Sequence, residues 1–218
     1  MEPCRLGVLA LGDSITFGHG GMQSGLGSQS WALWLAQALE LPFTQLAVNG
    51  ATAADVLREQ VPLIRGERYD VGCVYAGAND VRSEWDPSAF ARDLDAILAV
   101  VVARCDRTLA LTIPPDLGFP PDPPTVEQAN AAIESCAARH GAVLVDLHDF
   151  TGSRWVWADR VHATATGQVE IADRAARALG AQRLPSQIAQ PPAPDLAYRW
   201  HFAMRALREH ARALIIRR

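Results

Sequence analysis

Short apolar runs alternate along this chain with longer segments whose apolar residues recur at helical spacing. The apolar runs have the length of buried strands and cover residues 5–12, 43–48, 70–77, 108–113 and 142–147. The segments between and after these runs predict helices over residues 31–39, 52–64, 125–139 and 166–179. Strands that are apolar throughout are buried on both faces, as in parallel sheets. The pattern predicts an α/β fold with a five-stranded parallel sheet and helices on both faces.

The clearest helix lies between the third and fourth strands. Asp86 is a candidate N-cap, and Pro87 suits the first helical turn. The apolar residues that follow form one stripe: Phe90, Leu94, Ile97, Leu98, Val101 and Val102. This stripe predicts a helix with one face packed on the sheet.

The alternation of strands and helices occupies residues 1–183, which we expect to form one domain. The proline-rich stretch LPSQIAQPPAP over residues 184–194 predicts a linker. In residues 195–218 an apolar stripe lies opposite several arginines, which predicts a basic amphipathic C-terminal helix.

Charge is distributed unevenly along the chain. The 218 residues carry a formal net charge of −4, which gives no reason to expect nucleic acid as a partner. Residues 195–218 hold six arginines against two acidic residues, so this segment is +4 and the rest is −8. We therefore expect the C-terminal helix to dock on the acidic domain or on a second copy, forming a homo-oligomer. Binding to an anionic membrane surface is the less favoured alternative.

The sequence shows no feature of a membrane or secreted protein. No apolar run has the length of a membrane span, and the opening MEPC lacks the apolar core of a signal peptide. The cysteines Cys4, Cys73, Cys105 and Cys136 have no C-x-x-C spacing and read as free thiols. We expect a cytoplasmic protein.

Polar residues follow several of the predicted strands. In an open parallel sheet the carboxyl ends of the strands share one edge, where ligands bind. The residues that the topology would bring to this edge are Ser14 in LGDSITFG, Gly50 in VNGAT, Asn79 in GAND, and Asp159 and His162 in DRVH.

Each of these residues alone has an ordinary structural explanation. Ser14 is typical of a helix N-cap, and Asn79 of a turn after a strand. Asp159 and His162 would make a surface pair, as Asp146 would with a nearby histidine. Together, however, these explanations require independent coincidences at neighbouring strand ends.

The four segments, in this order, resemble the sequence blocks of the SGNH hydrolases, also called the GDSL esterase/lipase family. The resemblance covers about residues 5–180 and is that of a bacterial cytoplasmic member. The residues that name the family correspond to Ser14, Gly50, Asn79 and His162. The first block reads GDSIT rather than GDSL, and VNGAT is the least distinctive block. The resemblance implies a flavodoxin-like three-layer α/β/α fold.

The resemblance also implies a serine hydrolase that uses neither a metal nor a cofactor. A hydroxyl group is a poor nucleophile at neutral pH and needs an adjacent base. The implied roles are Ser14 as the nucleophile, His162 as the base and Asp159 as the group that orients the imidazole. The implied oxyanion-hole donors are the N–H groups of Ser14 and Gly50 and the side chain of Asn79.

The substrate is weakly encoded in the sequence. Trp85, Phe119 and Trp157 are candidates for lining the site, although tryptophans equally suit packing under loops. Without an inserted apolar cap domain, we expect a small-molecule ester with a short acyl chain, and glycines over residues 18–27 would let that loop move as a lid. The alternatives are a thioesterase, an acyltransferase or a non-catalytic flavodoxin-like ligand-binding module.

Overall fold

The computed structural model describes residues 6–21, 26–66, 68–115, 123–157 and 159–189, together with Trp200, Ala203, Met204 and Leu207. Its five strands are β1 (Val8–Gly12), β2 (Phe43–Gln45), β3 (Tyr69–Tyr75), β4 (Cys105–Leu111) and β5 (Val143–Val145). They form one sheet in the order β2-β1-β3-β4-β5, and every neighbouring pair is parallel. This strand order is that of flavodoxin-like folds. The predicted fold class is confirmed.

Helices cover both faces of the sheet. They are α1 (Ser14–Phe17), α2 (Trp31–Ala38), α3 (Ala53–Asp55), α4 (Pro87–Arg104), α5 (Pro123–His140), α6 (Ala165–Ala178) and α7 (Pro185–Ile188). Helices α2, α6 and α7 pack together on one face, and α3, α4 and α5 pack together on the other. The three layers place the loops that follow the strands at one edge of the sheet.

Helix α4 forms as the sequence predicts. The Asp86 side chain accepts hydrogen bonds from the backbone N–H groups of Ser88 and Ala89 at 2.9 and 3.0 Å, so it caps the helix. Most of the predicted apolar stripe is buried: Phe90, Leu94, Ile97, Leu98 and Val101. Burial of this stripe fixes α4 against the sheet and thereby fixes the loop between β3 and α4.

The segment predicted as a single helix over residues 52–64 is not one regular α-helix. Helix α3 continues into a π-helix over Val56–Gln60 and then a 3₁₀-helix over Val61–Leu63. Pro62 has no N–H and its ring crowds the preceding turn, so the α-helical hydrogen-bond pattern cannot continue there. Gln60, the last residue of the π-helix, is buried and only 1% exposed.

Two short helices were not predicted. Helix α1 is a single turn directly after β1. Helix α7 lies inside the proline-rich stretch and has Pro185 in its first turn, where a missing N–H costs no hydrogen bond. A single turn carries too few residues to show a helical period in the sequence.

The core consists of the central strands and the inner faces of the helices. In β1, Val8, Leu9, Ala10 and Leu11 are fully buried. Cys73, Cys105 and Cys136 are free and buried, whereas Cys4 lies outside the described residues. Within the described ranges, none of the helices has the length and apolar composition needed to cross a membrane.

The predicted C-terminal helix lies mostly outside the described residues. The four described residues beyond 189 are helical, and the side chains of Trp200 and Leu207 are 67% and 63% exposed. Docking of this helix on the domain or on a second copy stays a prediction.

Candidate active site

The turn that carries Ser14 is held from several sides. Strand β1 ends at Gly12, and α1 begins at Ser14 with Asp13 as its N-cap. The Asp13 carboxylate accepts a hydrogen bond from the N–H of Ile15 at 2.8 Å. The Gln60 side chain pairs with both the N–H and the C=O of Gly12, at 2.9 and 2.8 Å. The Ser14 hydroxyl therefore has a fixed position at the carboxyl edge of the sheet.

A second glutamine supports the same turn from the opposite face of the sheet. The Gln168 amide donates to the carbonyl of Ile15 at 2.9 Å, and its oxygen accepts from the N–H of Trp31 at 2.9 Å. Gln168 belongs to α6, so it ties α1 to both α2 and α6. Neither glutamine could be anticipated from the sequence, because an isolated glutamine in a helix is usually a solvent-facing residue.

The structure brings Ser14, His162 and Asp159 into one hydrogen-bonded series. The Ser14 Oγ atom lies 2.9 Å from Nε2 of His162, and Nδ1 of His162 lies 2.7 Å from Oδ2 of Asp159. The second oxygen of Asp159 accepts from the N–H groups of Val161 and His162 at 2.9 and 3.0 Å. A carboxylate at Nδ1 fixes the tautomer that leaves Nε2 free to accept the serine proton.

The environment of Asp159 keeps its carboxyl group ionised. Burial acts to raise the pKa of Asp159, but hydrogen bonds from the His162 ring and backbone and from the Val161 N–H outweigh it, so the pKa is lowered. Arg82 is half-buried nearby; burial lowers the pKa of its guanidinium, and the charge of Asp159 acts in the opposite direction. Arg82 is therefore an electrostatic neighbour of Asp159 that the sequence did not reveal.

Asn79 connects the end of β3 to the nucleophile turn and to the segment after β2. Its Nδ2 atom donates to the carbonyl of Ala51 at 3.0 Å and to Oδ2 of Asp13 at 3.3 Å. The neighbouring Asp80 accepts from the N–H of Ala53 with both oxygens, at 3.0 and 3.1 Å. Three of the predicted segments are thus joined by hydrogen bonds.

Gly50 lies on the exposed surface beside this network. Its φ of +81° falls in the left-handed region, and a Cβ added there would have no atom within 4 Å. Glycine is therefore required by the backbone angle and not by crowding. The open space leaves room for a ligand against the backbone.

Asp13 has an unusual electrostatic environment. Burial raises the pKa of its carboxyl group from 3.8 to about 7. The N–H of Ile15 and the charge of His162 oppose this rise, whereas the charge of Asp80 adds to it. Its exposure is only 1%, so the group lies beneath the site and not in it.

The glycine-rich segment after α1 packs against the loop that carries His162. A Cβ added at Gly20 would lie 2.3 Å from the carbonyl oxygen of Ala163, and one at Gly21 would lie 2.4 Å from the Trp157 ring. The rings of His19 and His162 are 4.5 Å apart at an interplanar angle of 55°. These glycines allow close packing of two loops. Movement of residues 18–27 as a lid stays a prediction, and residues 22–25 lie outside the described residues.

The predicted substrate-lining aromatics occupy different environments. Trp85 is half-buried, and its Nε1 donates to Gln128 at 3.0 Å. Trp157 is 6% exposed, and Phe119 lies outside the described residues. Phe17, which ends the same helical turn as Ser14, is 46% exposed and was not predicted as a site residue.

The other histidine–aspartate pairs lie elsewhere on the surface. His148 contacts Asp146 at 2.6 Å, and both residues are exposed. His140 contacts Asp95 at 2.8 Å. Within the part of the chain that the structure describes, no group of three or more histidine, cysteine, aspartate or glutamate residues is arranged to hold a metal ion.

Solved structures resemble the fold over most of the chain. The α/β hydrolase LAE5 from the metagenome of Lake Arreo, Spain, has a TM-score of 0.64 and 21% identity, over 80% of this chain and 95% of LAE5. The acetylxylan esterase Axe2 from Geobacillus stearothermophilus has a TM-score of 0.61 and 18% identity, over 80% and 94% of the two chains. A putative lipolytic G-D-S-L protein from Desulfitobacterium hafniense DCB-2 has a TM-score of 0.66 and 17% identity, over 80% and 99%. These likenesses establish the fold.

Sequence comparison identifies the family. A search of the curated proteins gives no significant match. The model of the GDSL-like Lipase/Acylhydrolase family, by contrast, matches residues 10–169, a span that runs from β1 into α6 and includes Ser14, Asn79, Asp159 and His162. This chain therefore belongs to the GDSL-like lipase/acylhydrolase family.

Proposed function

We propose that the protein is a serine esterase that hydrolyses carboxylic esters through an acyl-enzyme intermediate on Ser14. The observation that carries this proposal is the hydrogen-bonded series from the Ser14 hydroxyl to His162 and Asp159, with distances of 2.9 and 2.7 Å. Acyl transfer by serine requires a nucleophile that is hydrogen-bonded to a base, and a base that is hydrogen-bonded in turn to an orienting acid. Ser14, His162 and Asp159 stand in this order.

In the proposed mechanism, Nε2 of His162 accepts the hydroxyl proton as Oγ of Ser14 attacks the ester carbonyl carbon. The tetrahedral intermediate collapses when the same proton passes to the leaving alcohol, which produces acyl-Ser14. Water then attacks the acyl carbon with His162 again as base, and the carboxylic acid leaves. Ionised Asp159 stabilises the imidazolium in both halves of the reaction.

The negative charge on the substrate oxygen needs fixed hydrogen-bond donors. We assign this role to the N–H groups of Ser14 and Gly50 and to the Nδ2 group of Asn79. Ser14 is the first residue of α1, where N–H groups lack partners within the helix. The open space at Gly50 and the position of Asn79 next to Ala51 support the same assignment.

We propose that the acyl group is short. Axe2 is named an acetylxylan esterase, and the acetyl group in that name is a short acyl group. In this chain the exposed Phe17 lies on the same helical turn as the nucleophile and offers apolar surface to a small acyl group. Trp85, Trp157 and Phe119 stay candidates for the rest of the binding site.

The proposed chemistry needs neither a metal nor a cofactor. We place the enzyme in the cytoplasm, in keeping with the free cysteines Cys73, Cys105 and Cys136. We further propose residues 1–183 as the hydrolase domain, 184–194 as a linker whose first turn, α7, packs against the domain, and 195–218 as a basic helix. The opposite charges of domain and helix support association of copies through that helix.

The test is a panel of p-nitrophenyl esters from acetate to palmitate, assayed with wild type, Ser14→Ala and the control Ser88→Ala. Ser88 is an exposed serine on α4 and its replacement should leave the rate unchanged. We expect wild type to favour the short esters and Ser14→Ala to lose about 10³-fold or more in kcat. Equal rates for wild type and Ser14→Ala would refute the proposal. Thioesters and an added alcohol acceptor in the same assay separate hydrolysis of esters from thioester hydrolysis and acyl transfer.

A further inference from the structure

The buried carboxyl group of Asp13 joins the nucleophile turn to Asn79. Its Oδ1 atom accepts from the N–H of Ile15 at 2.8 Å, and its Oδ2 atom accepts from Nδ2 of Asn79 at 3.3 Å. Each oxygen thus has a different partner, and the two partners belong to segments that follow neighbouring strands, β1 and β3. One carboxyl group fixes both segments relative to each other.

We infer that Asp13 is a positioning residue, whose Oδ2 atom holds the Asn79 amide in the orientation from which it donates to the oxyanion. The inference rests on the function proposed above, in which Asn79 is an oxyanion-hole donor. Asp13 does not touch the substrate in this role, since its side chain is buried beneath the turn.

The two hydrogens of the Asn79 amide have different partners. One is directed to Asp13, and the other to the carbonyl oxygen of Ala51 at 3.0 Å. Ala51 directly follows Gly50, so the second hydrogen lies on the side of the other proposed donor. A charged oxygen accepts hydrogen bonds more strongly than a neutral carbonyl does. The developing oxyanion therefore takes this hydrogen from Ala51, while the bond to Asp13 keeps the amide from rotating.

The protonation state of Asp13 affects this bond. An ionised carboxylate accepts with both oxygens, whereas a protonated one turns one oxygen into a donor. Burial raises the pKa of Asp13 to about 7, so both states occur near neutral pH. The titratable groups that act on or respond to this charge are His162 from the loop before α6, Asp80 from the turn after β3, and Tyr75 from β3.

Asparagine at position 13 isolates the proposed contact. It keeps an oxygen that accepts from the N–H of Ile15, and asparagine is a good N-cap, so α1 and Ser14 should stay in place. It replaces Oδ2 with an NH₂ donor that cannot accept from Asn79. The variant therefore has the hydrogen-bonding pattern of permanently protonated Asp13.

The test is a double-mutant cycle of Asp13→Asn and Asn79→Ala, with kcat and KM measured on p-nitrophenyl acetate above about pH 8. We expect Asp13→Asn to lower kcat about 10- to 100-fold with KM changed less than about threefold. In the Asn79→Ala background the same change should alter kcat by less than about twofold. The control Asp86→Asn changes the exposed N-cap of α4 and should leave both constants unchanged.

Three results would overturn the inference. They are an unchanged kcat in Asp13→Asn, a loss of kcat by the same factor in both backgrounds, and a change in KM alone. Equal factors would mean that Asp13 acts on the Ser14 turn and not through Asn79. If Asp13→Asn does not fold, Asp13→Ser takes its place in the cycle, because serine also caps the helix and also lacks Oδ2.

Two further measurements separate this role from a merely structural one. The ratio of wild-type to Asp13→Asn kcat should be constant at high pH and fall towards one as the pH drops below about 7. The side-chain amide signals of Asn79 in ¹⁵N NMR should titrate over the same range in wild type and not in Asp13→Asn. A pH-independent ratio with static amide signals contradicts the inference. If wild type hydrolyses no ester, the proposed function fails, whereas the amide signals still decide whether Asp13 holds Asn79.

Discussion

The buried Asp13 carboxyl group should make the protein less stable as the pH rises, which is opposite to the usual effect of an ionised carboxylate in a fold. Its pKa is raised from 3.8 to about 7, with burial as the main cause. Between these pH values the folded protein keeps a proton that the unfolded chain releases, so the free energy of unfolding falls as the pH rises. A pKa difference of about 3 corresponds to about 4 kcal/mol once the pH exceeds 7.

Replacing Asp13 by asparagine removes this loss, because the amide does not ionise. The free energy of unfolding of Asp13→Asn minus that of wild type should therefore rise by up to about 4 kcal/mol between about pH 4 and pH 8. Any pH-independent effect of the substitution shifts this curve without changing its shape. Urea denaturation followed by circular dichroism at a series of pH values measures the difference.

Asp55→Asn provides a control with the opposite sign. Hydrogen bonds with the backbone and side chain of Thr52 lower the pKa of Asp55, so its carboxylate stabilises the fold more as the pH rises. The difference for Asp55→Asn should therefore fall as the pH rises towards about 4 and stay level above it, because the folded pKa lies below the unfolded value of 3.8. A flat curve for Asp13→Asn between about pH 4 and pH 8, beside a falling curve for Asp55→Asn below about pH 4, would refute this explanation of the buried Asp13 carboxyl group.

Further predictions concern the triad, the loop contact and metals. Asp159→Asn should lower kcat by about 10⁴ with little change in KM, measured with p-nitrophenyl acetate, because the wrong tautomer of His162 is favoured; an effect below about tenfold would contradict the role of Asp159. Gly20→Ala should lower both Tm and kcat, since its Cβ would lie 2.3 Å from the carbonyl oxygen of Ala163. Gly27→Ala is the control, because its Cβ would meet no atom within 4 Å and the substitution should be tolerated. Equal melting temperatures for the two variants would contradict the packing of the two loops. Dialysis against EDTA should leave the esterase rate unchanged, and a loss restored by a divalent cation would point to a metal mechanism.

The layered fold could be predicted because its signals are strong and local. Continuous apolar runs mark strands that are buried on both faces, and the Asp86 cap with its apolar stripe marks α4. The bounds of the strands were less predictable. Strands β2 and β5 are three residues each, because at the two edges of the sheet pairing stops before the apolar run ends.

The convergence of Ser14 and His162 could be anticipated only through topology. The two residues are 148 positions apart in the sequence, and no local pattern measures their distance. Because the carboxyl ends of parallel strands lie at one edge of the sheet, Ser14 and His162 could be expected near each other. Their contact at 2.9 Å depends on packing between loops, which only the structure describes.

The supporting residues could not be read from the sequence. Gln60 is the last residue of the π-helix after α3, and its side chain bonds the backbone of Gly12. The prediction of one regular helix over residues 52–64 did not indicate this contact. The contact of Asp13 with Asn79 joins two motifs whose members each have a plain local explanation. Tertiary contacts of this kind leave no periodic signal.

The central claim is that Ser14 carries the acyl group during turnover. Peptide mass spectrometry after treatment with a reactive organophosphonate tests it most directly, because the reagent mimics the acylation step and leaves a stable adduct. We expect an adduct on the peptide that contains Ser14 in wild type, no adduct in Ser14→Ala, and much slower labelling in His162→Ala. Labelling of another residue, or equal labelling of wild type and Ser14→Ala, would contradict it.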